Sequence, residues 1–592
     1  MSFFGYHGVY TTVDATTGTS SQSSIPESTF RRFPGGSALG THLLLEHEAW
    51  QHDPLSAESS LVFAFSPLIG SPLTTSAKFA VVSRSPLTGR LNDSLASSSF
   101  ALAGKRSGND AILITGKAET PCILVIDDQQ TRKLPADHLW GLSAEDAEVR
   151  LKEQFNGEHH FAVIGPAGEQ QVSYATISHS GRHAGRGGSG AVLGAKNVKA
   201  IVVAGNQRTP WADPEGLVER AKQLSKLSFG PATEKYRELG TAANLLVFNR
   251  LNCLPTRNFQ RGSFANSEQF SPAALGGARD KTRSSCAACT IGCTHLYSLN
   301  SGDSDRNVRI EYENIFALGP LCDVQDPEAV LQASHRCDEL GIDTISTGGT
   351  IAFAMECVER GFLDEPWLRF GDAEALLQAI DLIGSGTGLG KLLRQGSRAM
   401  AAIVGHDSID FAPQVKGLEI PGYEPRALQT MSLGFAVGTR GADHNRSGAY
   451  EIDFSDAADR RNGTADAARL AVDTEDKAAI MDSLILCKFL RGVFVNYFAE
   501  TAELLNLITG WQLDESAMQN MARGIIDAKK EFNIRCGWTP EEDTLPRRML
   551  TSALQDDPEA RLDTQTLQTM IVAYNLKRGW TAEGYLQGMS SQ

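Results

Sequence analysis

The chain has 592 residues, 41% of them hydrophobic and 21% charged, enough apolar material for several buried cores. At roughly 150 residues per domain it should fold as three or four. Its net charge of −15, with no Lys/Arg stripe to offset it, excludes a nucleic-acid footprint and would repel acidic redox partners except at a local basic patch.

The opening Met1-Ser2-Phe3-Phe4-Gly5-Tyr6 has no basic segment followed by an apolar run, which predicts no signal peptide. No stretch approaches the roughly 18 apolar residues of a membrane helix; the best, 478–498, contains Asp482, Lys488 and Arg491. Ten scattered cysteines without a secretion signal point to a reducing cytoplasm. A cytoplasmic protein outside the membrane is expected.

Residues 1–207 are predicted to form a β-rich domain. Short apolar runs at 61–65, 79–82, 111–114, 122–126, 160–164 and 198–203 are separated by turn chemistry at 85–89 and 165–168. One helix is predicted at 143–155, where Ser143 and Asp146 resemble a capping box. The Ser/Thr-rich stretch 16–24 reads as a surface loop. Pro210 and Pro214 mark a change to helical periodicity, giving a second domain over 208–413. Within it a helix should run over 327–340 and end at Gly341. A Pro- and Gly-rich stretch at 411–425 leads into a third, again helical, domain over 414–592, with helices at 474–489 and 516–531. The fold class is α+β: a β-rich domain followed by two mainly helical ones, with no internal repeat.

Three of the ten cysteines, Cys286, Cys289 and Cys293, fall within eight positions as C-x2-C-x3-C. Such spacing lets successive thiolates turn inward around one inorganic centre, and the small residues between let the backbone pass close to it. An iron–sulfur cubane needs a fourth thiolate from elsewhere in the chain. The alternatives are zinc with His295 as fourth ligand, or unliganded thiols; zinc patterns favour a second pair, which is missing here.

Two further strings share a pattern. Asp338-Glu339-Leu340-Gly341-Ile342-Asp343 and Asp482-Ser483-Leu484-Ile485-Leu486-Cys487 both read D-x-x-x-aliphatic-[D/C]. An Asp at a helix end can accept paired N–H bonds from a pterin-like ring, at about 1.5–3 kcal/mol per charged bond. A helix cap or a surface charge is the plainer reading of either. The second string ends in a Cys that could complete the cluster. The glycine-dense run 181–190 holds Arg182, His183, Gly185 and Arg186. Its glycines and guanidinium groups suit an anion such as phosphate, but it lacks the Lys-Ser/Thr pair of a nucleotide loop.

Together these residues resemble the aldehyde:ferredoxin oxidoreductases, tungsten enzymes with a bis-pyranopterin (molybdopterin-type) cofactor beside one [4Fe–4S] cluster. The likeness extends over nearly the whole chain, through 85–89, 184–188, the three cysteines, Glu311-Tyr312-Glu313, 337–349, Arg440-Gly441, His444, 482–487 and 543–548. It implies that Cys286, Cys289, Cys293 and Cys487 ligate the cluster. Asp338, Ile342 and Asp343 would grip one pterin; Asp482, Leu486 and Cys487 would grip the other. Arg182, His183, Gly185 and Arg186 would lie at the cofactor phosphates, with Mg2+ between them, and Arg440 and Arg446 at two further contacts.

The resemblance places Glu313 and His444 beside the metal. A carboxylate there can take a proton from water while an imidazole polarises an aldehyde carbonyl. Four departures stand out. Lys78 replaces an Arg that bridges cluster and pterin, keeping the charge without the bidentate fork. Residues 95–98 replace a pterin loop. Gln332 replaces the Glu of a metal-binding ExxH, with His335 retained, which predicts a homo-oligomer without an intersubunit iron. Ile485 stands where Gly is usual.

The expected activity is oxidation of an aldehyde with water to a carboxylic acid at a tungsten or molybdenum centre. Ferredoxin or an iron–sulfur subunit would accept the electrons. The alternatives are reductive use of the same cofactor on acids or aryl thioesters, and a cofactor-free electron-transfer or scaffold protein.

Overall fold

The computed structural model describes residues 3–589 apart from 129, 156 and 301–306; Met1 and Ser2, read above for a signal peptide, lie outside. The apolar runs of the first third become the middle strands of two six-stranded mixed sheets. In spatial order the first sheet is Ser20–Ser24, Val9–Asp14, Ala111–Thr115, Leu61–Ala64, Lys78–Arg84 and Leu91–Ser97. The second is Arg182–Ala184, Ile177–His179, His160–Val163, Val198–Val203, Cys122–Ile126 and Thr131–Pro135.

Strand alternation sends side chains to opposite faces. Phe63, Phe79, Val81 and Ile112 of the first sheet share a core with Leu124, Ala162 and Ile201 of the second. The other face of the first sheet, with Val62, Ala80 and Val82, packs on Leu39 and Leu43 of the helix Gly36–Glu46. Trp511 and Phe532 from far along the chain join that layer. Each Val, Leu, Ile or Phe among them contributes about 1.5–3 kcal/mol on full burial. The β-rich part is therefore held to the carboxy-terminal helices by a shared core.

All six predicted strands are present, and the helix at 143–155 is Ala144–Gln154, with the Ser143 hydroxyl accepting from the Asp146 N–H. It is not the only helix there. Gly36–Glu46, Ser99–Arg106 and Ser189–Ala195 also form; the first and last are buried on most sides and show no polar stripe. The loop expected at 16–24 is corrected as well: Ser20–Ser24 is an exposed edge strand paired antiparallel to Val9–Asp14. Exposure on both faces removes the alternation that would mark it.

Beyond Asp213, which caps the helix Pro214–Ser228, helices dominate. Pro327–Leu340 ends as predicted at Gly341, in the left-handed conformation (φ +72°). The helix predicted at 516–531 is Glu515–Arg535; the one predicted at 474–489 runs instead over Ala465–Leu484 and is stopped by Ile485 in the left-handed region. The helical part also holds an unpredicted three-stranded sheet, Lys281–Ser284, Thr294–Ser298 and Asn307–Ile310. Among the described residues no helix is long and apolar enough to cross a membrane.

Candidate functional site

The first hairpin of that small sheet carries Cys286, Cys289 and Cys293 in its loop, while Cys487 follows the end of the helix Ala465–Leu484. All four are partly buried free thiols. Burial pushes the Cys293 thiol up, and the neighbouring Cys487 and Cys286 push it further; Cys289 is raised by burial and by the same two residues. Four thiols close enough to perturb one another are what a cubane needs.

His295, the zinc alternative's fourth ligand, instead directs Nε2 to the Arg237 carbonyl at 3.0 Å. Among the described residues no three His, Cys, Asp or Glu side chains gather tightly enough for a single metal ion. A four-iron cluster, taking one thiolate at each iron, spreads its ligands wider than one ion does.

Thr75 joins the two cysteine segments. Its backbone N–H donates to the Ala288 carbonyl at 2.5 Å, and its hydroxyl accepts from the Cys487 N–H at 3.2 Å. It does so from the left-handed region (φ +66°), which a β-branched residue enters at a cost. Sequence carries no signal of this. Nearby, Lys78 opens the strand Lys78–Arg84, half-buried, and its ammonium forms no hydrogen bond or ion pair among the described residues. The expected replacement loop at 95–98 is the end of the strand Leu91–Ser97 followed by Ser98, which caps the helix Ser99–Arg106.

The glycine-dense run forms the strand Arg182–Ala184 and the turn into Ser189–Ala195, so only its middle is a loop. His183 Nε2 lies 3.1 Å from Asp338 and its Nδ1 2.8 Å from the Ser178 hydroxyl. Backbone links dock the first D-x-x-x-aliphatic-D string onto the segment leading into this hairpin: Thr176 N–H donates to Gly341, Asp343 N–H donates to Tyr174, and Ile342 bridges Ala175.

Asp343 caps the helix Thr344–Glu359, accepting from the Ile345 and Ser346 N–H groups. Arg186 reaches it at 3.2 Å and donates to the Ala442 and Glu419 carbonyls, so its fork is engaged by protein. Arg182 donates to the Thr294 hydroxyl. Both guanidinium groups of the run therefore make protein contacts in this structure. Gly185 remains open: a Cβ on it would meet nothing within 4 Å.

Asp93 organises the other side, and sequence reasoning passed over it, although an acid within the buried strand Leu91–Ser97 is a readable signal. Its carboxylate meets Arg446 Nε at 3.0 Å, Lys529 Nζ at 2.7 Å and the Ser37 hydroxyl at 2.6 Å. Burial would raise its pKa, but Arg446, Lys529 and Arg440 hold it well below the usual carboxylate range.

Arg446 also pairs with Asp482 at 3.1 Å, and Lys488 pairs with Asp482 at 2.8 Å. Arg440 bonds the Ser94 hydroxyl (2.9 Å) and the Arg186 carbonyl (2.8 Å) and pairs with Asp443, leaving Nε unpartnered; burial lowers it to about 10. Leu486, in the same string as Asp482, is buried.

Glu313 enters from the first turn of the helix Tyr312–Leu318, and His444 opens the short helix His444–Ser447, capped by Asp443. Glu313 Oε2 accepts from the Gly422 N–H at 3.0 Å. Glu313 Oε1 and His444 Nδ1 face each other at 3.7 Å, and neither has a hydrogen-bond partner among the described residues. Asn445 Nδ2 lies 2.8 Å from His444 Nε2; with the amide donating, the ring proton sits on Nδ1.

Burial raises Glu313 to about 8, against the opposing Gly422 bond and Arg186, and lowers His444 to about 3. At neutral pH both are mainly uncharged. Tyr423 stacks on His444 at 4.8 Å and Tyr450 on Tyr423 at 5.2 Å, walling the pair with rings.

The unpartnered Arg440 Nε, Glu313 Oε1 and His444 Nδ1, the open space at Gly185 and the four cysteines fit a large polar group seated here beside an iron–sulfur cluster.

Nearly the whole chain matches known proteins. Residues 10–205 match the family model of the aldehyde ferredoxin oxidoreductase N-terminal domain, and 218–590 that of domains 2 and 3. The chain is 34% identical to the tungsten-containing aldehyde ferredoxin oxidoreductase of Pyrococcus furiosus, over 98% of this chain and 97% of that protein. It is 28% identical to the WOR-like subunit of an aliphatic sulfonate oxidoreductase of the same organism, over 91% and 88%. A solved structure, the active-site complex BamBC of benzoyl coenzyme A reductase with 1,5 dienoyl-CoA, superposes with a TM-score of 0.82 at 21% identity, covering 98% of this chain and 96% of that one.

Proposed function

The chain belongs to the aldehyde ferredoxin oxidoreductase family, and on that premise we propose that it oxidises aldehydes with water to carboxylic acids. The observation that carries this is the facing pair Glu313 Oε1 and His444 Nδ1, 3.7 Å apart and both unpartnered within a ring-lined wall. The overall change is aldehyde plus water to acid, two protons and two electrons. A tungsten or molybdenum bis-pyranopterin would supply the two-electron acceptor, and a [4Fe–4S] cluster the one-electron exit to ferredoxin or an iron–sulfur partner.

The residues that would hold these groups are those gathered above. Cys286, Cys289, Cys293 and Cys487 would take the cluster. Arg182, His183, Gly185, Arg186, Asp338, Ile342 and Asp343 would line one pterin with its phosphates and Mg2+. Arg440, Arg446, Asp482 and Leu486 would line the other, with Lys78 between pterin and cluster.

His444 donates Nδ1–H to the aldehyde oxygen, and its lowered pKa keeps it a neutral donor across the working range. Glu313, when ionised, takes the proton of the attacking water; a base titrating near 8 is matched to that task. The ring wall limits bulk water around both. The Glu313→Gln variant should retain its metal content and lose turnover with viologen dye as acceptor. Full activity in that variant would refute the role.

A second reading has an observation in its favour. At neutral pH Glu313 is mainly the acid, the form that delivers a proton during reduction. The benzoyl coenzyme A reductase likeness is one of fold. Parallel assays with aldehydes and with carboxylic acids or aryl thioesters separate the two directions.

A further inference from the structure

Resting on the proposed electron exit through the cluster, we infer that the surface around Phe229 and the strand Lys281–Ser284 docks an acidic iron–sulfur electron carrier. The cysteine loop reaches the surface at Ser285, Ala288 and Thr290, all exposed. The Thr290 hydroxyl meets the Ser228 hydroxyl at 2.7 Å, so the end of the helix Pro214–Ser228 lies directly against the residue after Cys289.

Just beyond it Phe229 is 57% exposed, with Leu227 also exposed beside it. The Arg237 guanidinium sits 4.4 Å over the Phe229 ring, and the Arg237 carbonyl accepts from His295 of the cysteine hairpin. Apolar surface is therefore laid beside the exposed part of the cysteine loop, where electron transfer needs close contact.

The charge around it runs against that of the chain. Lys222, Lys226 and Phe229 follow at spacings of four and three and share one helical face. The strand Lys281–Ser284 is fully exposed at the sheet edge, adding Lys281 and Arg283 on the way into Cys286. With Lys235, five exposed cations stand here against four exposed acids, Glu219, Glu234, Glu238 and Asp280, in a protein of net charge −15. Lysines on an edge strand also discourage strand pairing. That role explains Lys281 but not Lys222 and Lys226, which lie on a helix. An apolar centre with a cationic rim steers an acidic partner and sets its approach.

The test uses the holoenzyme and a ferredoxin of acidic pI, with viologen dye as a second acceptor. In Lys222→Glu/Lys226→Glu, and separately in Lys281→Glu, the KM for ferredoxin should rise about tenfold and its salt dependence flatten. Dye-linked turnover and iron content should stay unchanged. Intact dye-linked turnover with an unaltered KM for ferredoxin in both variants would overturn the docking surface. Wild-type holoenzyme lacking dye-linked aldehyde oxidation would overturn the activity reading instead. Because the two substitutions lie on different elements, a folding failure in one leaves the other to decide.

Discussion

Glu313 Oε1 and His444 Nδ1 face each other at 3.7 Å without other partners, and burial moves their pKa values in opposite directions, to about 8 and about 3. Removing charge from both gives the site a single titration near working pH. Oxidation, which needs the Glu313 carboxylate, should rise about tenfold per pH unit below 8 and level off above it. Any reductive activity should fall over the same range. No limb is expected near 6.5, because His444 stays neutral. Measuring kcat/KM against pH with viologen dye checks this, with Glu313→Gln, which should lose turnover, giving the background rate at each pH.

Thr75 gives a second prediction. Its hydroxyl is the acceptor for the Cys487 N–H, and its own N–H holds Ala288 between two cysteines. Thr75→Ala leaves the Cys487 N–H without that partner, a penalty of about 1–3 kcal/mol if no water replaces it. Thr75→Ser keeps the acceptor and removes the β-branch at φ +66°. The Ala variant should lose iron on gel filtration and melt lower, whereas the Ser variant should match the parent; iron per chain and Tm distinguish them.

These two sites show what is legible in a sequence. Cys286, Cys289 and Cys293 are marked by spacing, and Cys487 by its place in a repeated string. Thr75 is marked by nothing, because its conformation is imposed by the segments it joins. The six apolar runs read as strands because buried β-branched runs have a direct local cause. The helix Gly36–Glu46 was invisible because both sides are buried, its polar stripe replaced by contacts with strands and distant helices. Asp343 and Arg186 read as cofactor contacts; that they also satisfy a helix cap and two carbonyls is something no linear pattern displays.

Asp93 is expected to be the residue whose loss most weakens this floor. Its carboxylate neutralises Arg446 and Lys529 in a buried setting. Asp93→Asn leaves Lys529 without its carboxylate and Arg446 with Asp482 alone, and should destabilise the protein by about 3–5 kcal/mol. Its folded-state pKa is depressed, so its stabilisation is complete above the unfolded value of 3.8 and is lost as pH falls toward the folded one. Denaturant midpoints at pH 7 should therefore separate parent and variant by their full difference, and the gap should narrow below pH 4.

Ile485 sits in the left-handed region (φ +61°) after the helix Ala465–Leu484, where glycine would be unstrained. The conformation costs about 1–2 kcal/mol for a residue with a Cβ. Its side chain is fully buried, and Gly36 makes room for it: a Cβ on Gly36 would come within 2.6 Å of Ile485 Cγ1. Stripping a buried Ile to a small residue costs about 2–5 kcal/mol, more than the backbone relief returns. Ile485→Gly should therefore lower Tm. Gly36→Ala should lower it too, because its Cβ would also meet the Asp482 carbonyl at 2.5 Å. A higher Tm for Ile485→Gly would show that backbone strain outweighs packing at this joint.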